Sequence, residues 1–211
     1  MKVGMKQNSD RKRQVIIGIT GGIGSGKSTV TEYISQKGFP IVDADKISKK
    51  LMDEEDTACQ VIDAFGNGIL DANGNVDRRK LREMVFCDKV LLQRLNSIFH
   101  PKIREGIENE IARLKKEGKD IIFLDAPLLI ENKIDRMVDE VWIVSCSKET
   151  QIERVVKRDG SNRNEVDNIM KRQMPLEKKM KHADLVFQNE DSIKDLREKI
   201  EEALQDLANR I

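Results

Sequence analysis

Eight consecutive residues constrain this chain more than any others: Gly21-Gly22-Ile23-Gly24-Ser25-Gly26-Lys27-Ser28 satisfies the pattern G-x-x-x-x-G-K-[ST]. The preceding run, Val15-Ile16-Ile17-Gly18-Ile19, is short and β-branched and predicts a buried strand. After the loop, Val30, Tyr33 and Ile34 carry helical spacing, and Gly38 offers the left-handed conformation that ends a helix. A strand, a glycine turn and a helix form the setting in which such a loop wraps phosphate. Glycines let the backbone close around an anion with its N–H groups turned inward, and the helix start adds its positive end. Lys27 supplies charge for β- and γ-phosphates, and the Ser28 hydroxyl suits Mg²⁺. Gly22, Ile23, Gly24, Ser25, Gly26, Lys27, Ser28 and Thr29 are therefore candidate ATP-binding residues, against the competing reading of a plain turn with a solvated lysine.

A second strand is expected at Phe39 to Val42, and further strands at 121–125, 140–144 and 184–187. Strand, helix and strand within about thirty residues make a right-handed βαβ unit. Residues 46 to about 118 show helical spacing, with turns at Gly66-Asn67-Gly68 and Asp71-Ala72-Asn73-Gly74. So much helix exceeds a crossover and predicts an inserted subdomain. Residues 146–181 are polar, helical and basic, and Ile193, Leu196, Ile200, Leu204, Leu207 and Ile211 fall on one face of a last helix. The expected fold is α/β, a three-layer P-loop NTPase fold: a five-stranded parallel sheet with an inserted helical substrate subdomain and a helical lid. Its nucleotide-binding core is expected at 15–45, 117–145 and 182–211, the inserted subdomain at 46–116 and the lid at 146–181. Residues 1–14, basic and without the apolar middle of a secretion signal, read as a flexible tail.

With 38 Lys and Arg against 37 Asp and Glu, phosphate affinity has to come from local sites, and neither nucleic acid nor a membrane is an expected partner. Cys59, Cys87 and Cys146 are too scattered for a disulfide framework or a metal site and read as reduced thiols of a cytoplasmic protein. Oligomeric state is not legible here.

Ligands of open parallel sheets bind beyond the carboxyl ends of the strands, where Asp43, Asp45 and Asp125 fall. Asp125 ends an apolar run and suits a metal-bound water, or else it caps the turn before Pro127. Asp45 either prepares an attacking hydroxyl or serves as a helix N-cap; Asp43 reads as structural or as an acceptor of substrate hydrogen bonds. Arg154 and Arg158 share a helix face, either as part of a phosphate-covering lid or as a solvated basic surface, with Arg163, Lys171, Arg172, Lys178 and Lys179 following. His100 before Pro101 reads as lying near a helix start, as a cap or a substrate contact, and His182 as a surface residue. Asn132-Lys133-Ile134-Asp135 and Asp63-Ala64-Phe65-Gly66 match guanine-nucleotide motifs of GTPases, but neither falls after the strand that such a motif requires.

The ordered set is more telling than any part of it. Gly18 to Thr29 is followed by Asp43-Ala44-Asp45, Phe65-Gly66, Asp77-Arg78 with Leu81 and Val85-Phe86, and His100-Pro101-Lys102-Ile103. Then come Asp125-Ala126-Pro127-Leu128-Leu129 with Glu131, Gln151 with Arg154 and Arg158, Gln173, Ala183-Asp184 and Asn189. From about Val15 to the last helix the chain resembles the dephospho-CoA kinases. The resemblance implies ATP as donor, Mg²⁺ as cofactor, and the ribose 3′-hydroxyl of dephospho-CoA as acceptor. It makes the insertion a CoA-binding subdomain and the basic stretch a lid. It implies catalytic roles for Lys27, Asp45 and Arg154, nucleotide contacts from Arg158 and Asn189, and a substrate site lined by Thr20, Asp43, Arg78, His100 and Asp125. Arg163 and Arg172 fall where lid sequences vary.

Overall fold

The computed structural model describes residues 14–86 and 88–210. The expected tail, apart from Gln14, lies outside the described residues, as do Cys87 and Ile211. The chain divides into two units, one built from residues up to Ile41 together with those from Leu114 onward, the other from the continuous stretch Val42–Arg113.

Strands β1 (Val15–Gly21), β2 (Ile41–Asp43), β3 (Ile121–Asp125), β4 (Glu140–Ser145) and β5 (Leu185–Gln188) form a five-stranded sheet in the order β2-β3-β1-β4-β5, and all but the last two residues of β2 belong to the first unit. The sheet is parallel, with helices on both sides, as expected. β1 is central: Val15 pairs with Ile121 on one side and Ile17 with Glu140 on the other. Every residue of β1 is buried, which is why its sequence is a continuous apolar run instead of an alternating one. Helix α1 (Lys27–Gln36) packs Val30 and Ile34 against Ile17 and Ile19, and α9 (Ile193–Asn209) brings Leu196, Ile200, Leu204 and Leu207 to the same core. Phe39, Phe123, Trp142 and Phe187 stack edge to face in a row through it, with centroids 5.4–5.7 Å apart.

The second unit holds α2 (Ala44–Leu51), α3 (Glu55–Phe65), α4 (Arg78–Phe86) and most of α5 (Lys89–Lys116). Leu51, Val61, Ile69, Leu81, Val85 and Phe99 make its own core. The first unit also contains α6 (Lys148–Asp159), α7 (Arg163–Met170) and α8 (Leu176–Lys179).

Four expectations are corrected. The second strand begins at Ile41 rather than Phe39, because the Phe39 amide turns back to the Ile34 carbonyl of α1 and Pro40 has no N–H to give. The last strand begins at Leu185, since the Asp184 carboxylate accepts from the Val141 amide before the ladder starts. Ile193 opens α9 with 61% of its surface exposed, off the inward face. His100 and Pro101 lie inside α5 instead of at a helix start. The hydrogen bond that Pro101 forfeits belongs to Ser97, an exposed residue, and the helix continues through it.

Replacing Phe123, which is fully buried at the centre of the aromatic row, by Ala should lower stability by about 3–5 kcal/mol in urea denaturation.

Candidate active site

The glycine loop leaves β1 and enters α1 as the pattern requires. Gly26 caps α1 in the left-handed region (φ 92°), and Gly24 also has positive φ (73°). Both conformations are strained for any residue with a Cβ. Space is short as well: a Cβ on Gly24 would lie 2.5 Å from the Gln151 carbonyl, and one on Gly26 would collide with the Asn189 side-chain amide. A Cβ on Gly22 would press on the Gln151 side chain at 3.1 Å. This is a cradle of bare backbone that fits a polyanion at a helix N-terminus.

The Ser25 carbonyl is the point at which distant elements grip the loop. Asn189, just past β5, donates to it from Nδ2 at 2.8 Å. Arg154 on α6 reaches the same carbonyl at 3.5 Å and the Asn189 carbonyl at 3.0 Å. Gln173 Oε1 accepts from the Ile23 amide at 3.0 Å. Thr20, fully buried at the end of β1, donates to the Pro127 carbonyl at 3.0 Å.

Lys27, the first residue of α1, forms an ion pair with Asp125, the last residue of β3, and both side chains are largely buried. Asp125 is thus paired with a cation, and among the described hydrogen bonds its carboxylate accepts from no amide of the turn at Pro127. Ser28 is exposed in the first turn of α1 and Thr29 is half-buried beside it. Among the described residues no three His, Cys, Asp or Glu side chains gather as a metal site. A cation placed here would take most of its ligands from phosphate oxygens and water, as Mg²⁺ commonly does, and Ser28 and Asp125 are the chain's own oxygens suited to it.

The structure therefore brings together Thr20, the loop, Lys27, Asp125, Arg154 and Asn189. It does not bring Arg158 to the loop: its Nε and Nη2 donate to the two oxygens of the neighbouring Asp159 carboxylate, at 2.7 and 2.8 Å. Lys179, expected on a solvated or lid surface, is instead 1% exposed and bonded to Glu131 and Pro127. No local spacing marks it, because Pro127 is 52 residues away in the chain. Cys146, also buried, has its thiol pushed above the ordinary value by loss of water.

In the second unit, Asp43 is the N-cap of α2, accepting from the Lys46 amide at 2.9 Å. The cap considered for Asp45 thus falls two residues earlier, and Asp45 sits exposed in the first turn. Arg78 pairs with Asp53. Burial, then the like charge of Arg104, push the His100 imidazole below its usual value.

Residues 15–195 match the family model described as dephospho-CoA kinase. The chain belongs to the dephospho-CoA kinase family. It is 44% identical over 187 residues to a dephospho-CoA kinase of Fusobacterium nucleatum, covering 89% of this chain and 95% of that one. It is 45% identical to that of Carboxydothermus hydrogenoformans, covering 90% of this chain and 93% of the relative. Among solved structures, TT1252 from Thermus thermophilus superposes with a TM-score of 0.81 at 34% identity, covering 93% and 99% of the two chains. The dephospho-CoA kinase from Campylobacter jejuni does so at 0.72 and 29%, covering 92% and 97%. Family membership makes the chain an ATP-using kinase and places its fold among the P-loop kinases.

Gly24→Ala and Gly38→Ala separate the loop from backbone strain alone, since both have positive φ but only Gly24 is crowded. Gly38→Ala should cost about 1–2 kcal/mol and leave ATP binding intact. Gly24→Ala should lower ATP affinity at least tenfold in calorimetric titration.

Proposed function

We propose that this chain transfers the γ-phosphoryl group of ATP to the ribose 3′-hydroxyl of dephospho-CoA, forming coenzyme A. The family match across residues 15–195 carries the choice of acceptor, and the loop from Gly21 to Ser28 supports the choice of donor.

Such a transfer passes through a loose transition state with charge spread over the γ oxygens, so positioning and charge compensation do most of the work. The loop amides and the start of α1 hold the triphosphate. Lys27 exchanges its carboxylate partner for phosphate and offsets charge as the γ group leaves. Arg154, which grips Ser25 and Asn189, lies close enough to the loop to stabilise the same charge. We assign to Asp45 the acceptance or orientation of the hydroxyl proton, and to Thr20, Asp43, Arg78, His100 and Asp125 contacts with substrate. Asn189 and Arg158 complete the nucleotide set; Arg158 would have to leave Asp159 to do so. A Mg²⁺ ion bound with ATP would neutralise part of the β- and γ-phosphate charge, with Ser28 and a water on Asp125 among its ligands.

Residues 46–116 would then take the CoA portion of the acceptor and 146–181 would act as the lid, in a cytoplasmic enzyme. No described helix is long and apolar enough to cross a membrane. The GTPase motifs take no part: Asn132 and Lys133 precede a short 3₁₀ turn at Ile134–Met137 rather than following a strand, and Asp63 to Gly66 close α3.

ADP release should be measured with Mg·ATP and each of dephospho-CoA, nucleoside monophosphates and no acceptor. Stimulation by dephospho-CoA alone is expected; hydrolysis indifferent to acceptor would refute the assignment. Lys27→Ala should reduce turnover on the order of a hundredfold or more with the fold retained by circular dichroism. Asp45→Asn should reduce kcat by about 10²–10⁴ with little change in ATP affinity; an unaltered kcat would remove Asp45 from its role.

A further inference from the structure

Gln173 bonds to the glycine loop, Glu131 and Lys179 hold the segment that follows Gln173, and none of the three has a part in the reaction described above. Lys179 is almost completely buried, 3.0 Å from Glu131 Oε1 and 3.2 Å from the Pro127 carbonyl. A buried ammonium is costly unless paired and hydrogen-bonded, so these contacts fix α8 to the segment that follows β3. The same Glu131 oxygen accepts from the Met174 amide at 3.0 Å. One carboxylate therefore ties down both ends of the segment 174–179. Pro127, the other partner of Lys179, also takes the Thr20 hydroxyl, so the anchor reaches the strand that feeds the loop.

Gln173 stands immediately before this segment, and its Oε1 accepts from Ile23 N–H in the loop itself. The loop amides are free to turn because their residues are largely glycine, and that freedom must be removed for them to bind phosphate without further ordering cost. Asn189 and Arg154 hold one stretch of the loop through the Ser25 carbonyl. Nothing else among the described hydrogen bonds ties the Ile23 amide.

We propose that residues 173–179 form a fixed strap, anchored by the Glu131–Lys179 pair, and that Gln173 is a positioning residue holding the Ile23 amide so that the loop is shaped before ATP arrives. The strap thus belongs to the nucleotide site, and any lid movement is confined to residues before it. This rests on reading the loop as the ATP site.

The test compares wild type, Gln173→Ala and Gln173→Glu by steady-state kinetics, ATP titration without acceptor, and hydrogen exchange at the Ile23 amide. Losing one hydrogen bond to the loop should raise KM and Kd for ATP about three- to tenfold in Gln173→Ala, with kcat changed less than twofold. Ile23 exchange should accelerate. Gln173→Glu keeps an oxygen acceptor and should restore the protection. The double variant Glu131→Gln, Lys179→Met, which leaves no lone buried charge, should shift KM in the same direction as Gln173→Ala. Unchanged Ile23 exchange or unchanged ATP affinity in Gln173→Ala, beside a wild type that binds ATP normally, would overturn the positioning role alone. A wild type that fails to bind ATP would overturn the loop reading as well.

Discussion

A row of backbone N–H groups has to converge on one point with no side chain in the way, and the rest of the first unit is arranged around that requirement. Glycine is the residue that permits it, and glycine is also the residue whose backbone is most costly to immobilise. The loop cannot hold its own shape. Rigidity comes from outside: Asn189 beyond β5, Arg154 on α6 and Gln173 ahead of α8 each bond to loop backbone. Two of these, α6 and the residue past β5, are also the walls on which a Cβ at Gly24 or Gly26 would collide. This is why residues concerned with a single anion are spread over most of the chain.

The electrostatics are equally local. Opposite charges nearly cancel over the whole sequence, so under the proposed function attraction for a triphosphate would have to come from Lys27, the oriented amides and Arg154. Lys27 is held by Asp125 in a poorly hydrated site, which keeps the ammonium extended beside the loop. Phosphate has to compete with that carboxylate for Lys27. If a divalent cation bound with the nucleotide, as proposed above, Asp125 would have a partner other than Lys27 and the competition would ease.

Sequence reading succeeded wherever the signal was continuous and local. The run Ile121 to Asp125 forms β3 over those same residues, and the loop pattern lies between β1 and α1. It failed where something other than residue type decided the outcome, whether a neighbouring turn or a remote partner. Phe39 was expected in a strand, but its amide is spent on closing α1. The proline after His100 suggested a helix start, yet the hydrogen bond it removes belongs to an exposed residue, and the packing of α5 carries the helix through. Lys179 in a basic run has the composition of a surface residue and is buried because Glu131 and Pro127 receive it. Asn189 and Gln173 stood out only as members of an ordered set shared with a family; no spacing rule connects them with Ser25 or Ile23.

The central strand has a consequence for synthesis. β1 is nearly the first described element to leave the ribosome, yet the strands on either side of it, β3 and β4, follow about a hundred residues later. Until they appear, Val15 to Ile19 has neither neighbour in the sheet, while the continuous stretch from Val42 to Arg113 can already gather its own core. The nascent chain thus carries an exposed apolar segment through the making of about a hundred further residues. That segment is a natural binding site for chaperones, and a place where a stalled or truncated product begins to aggregate.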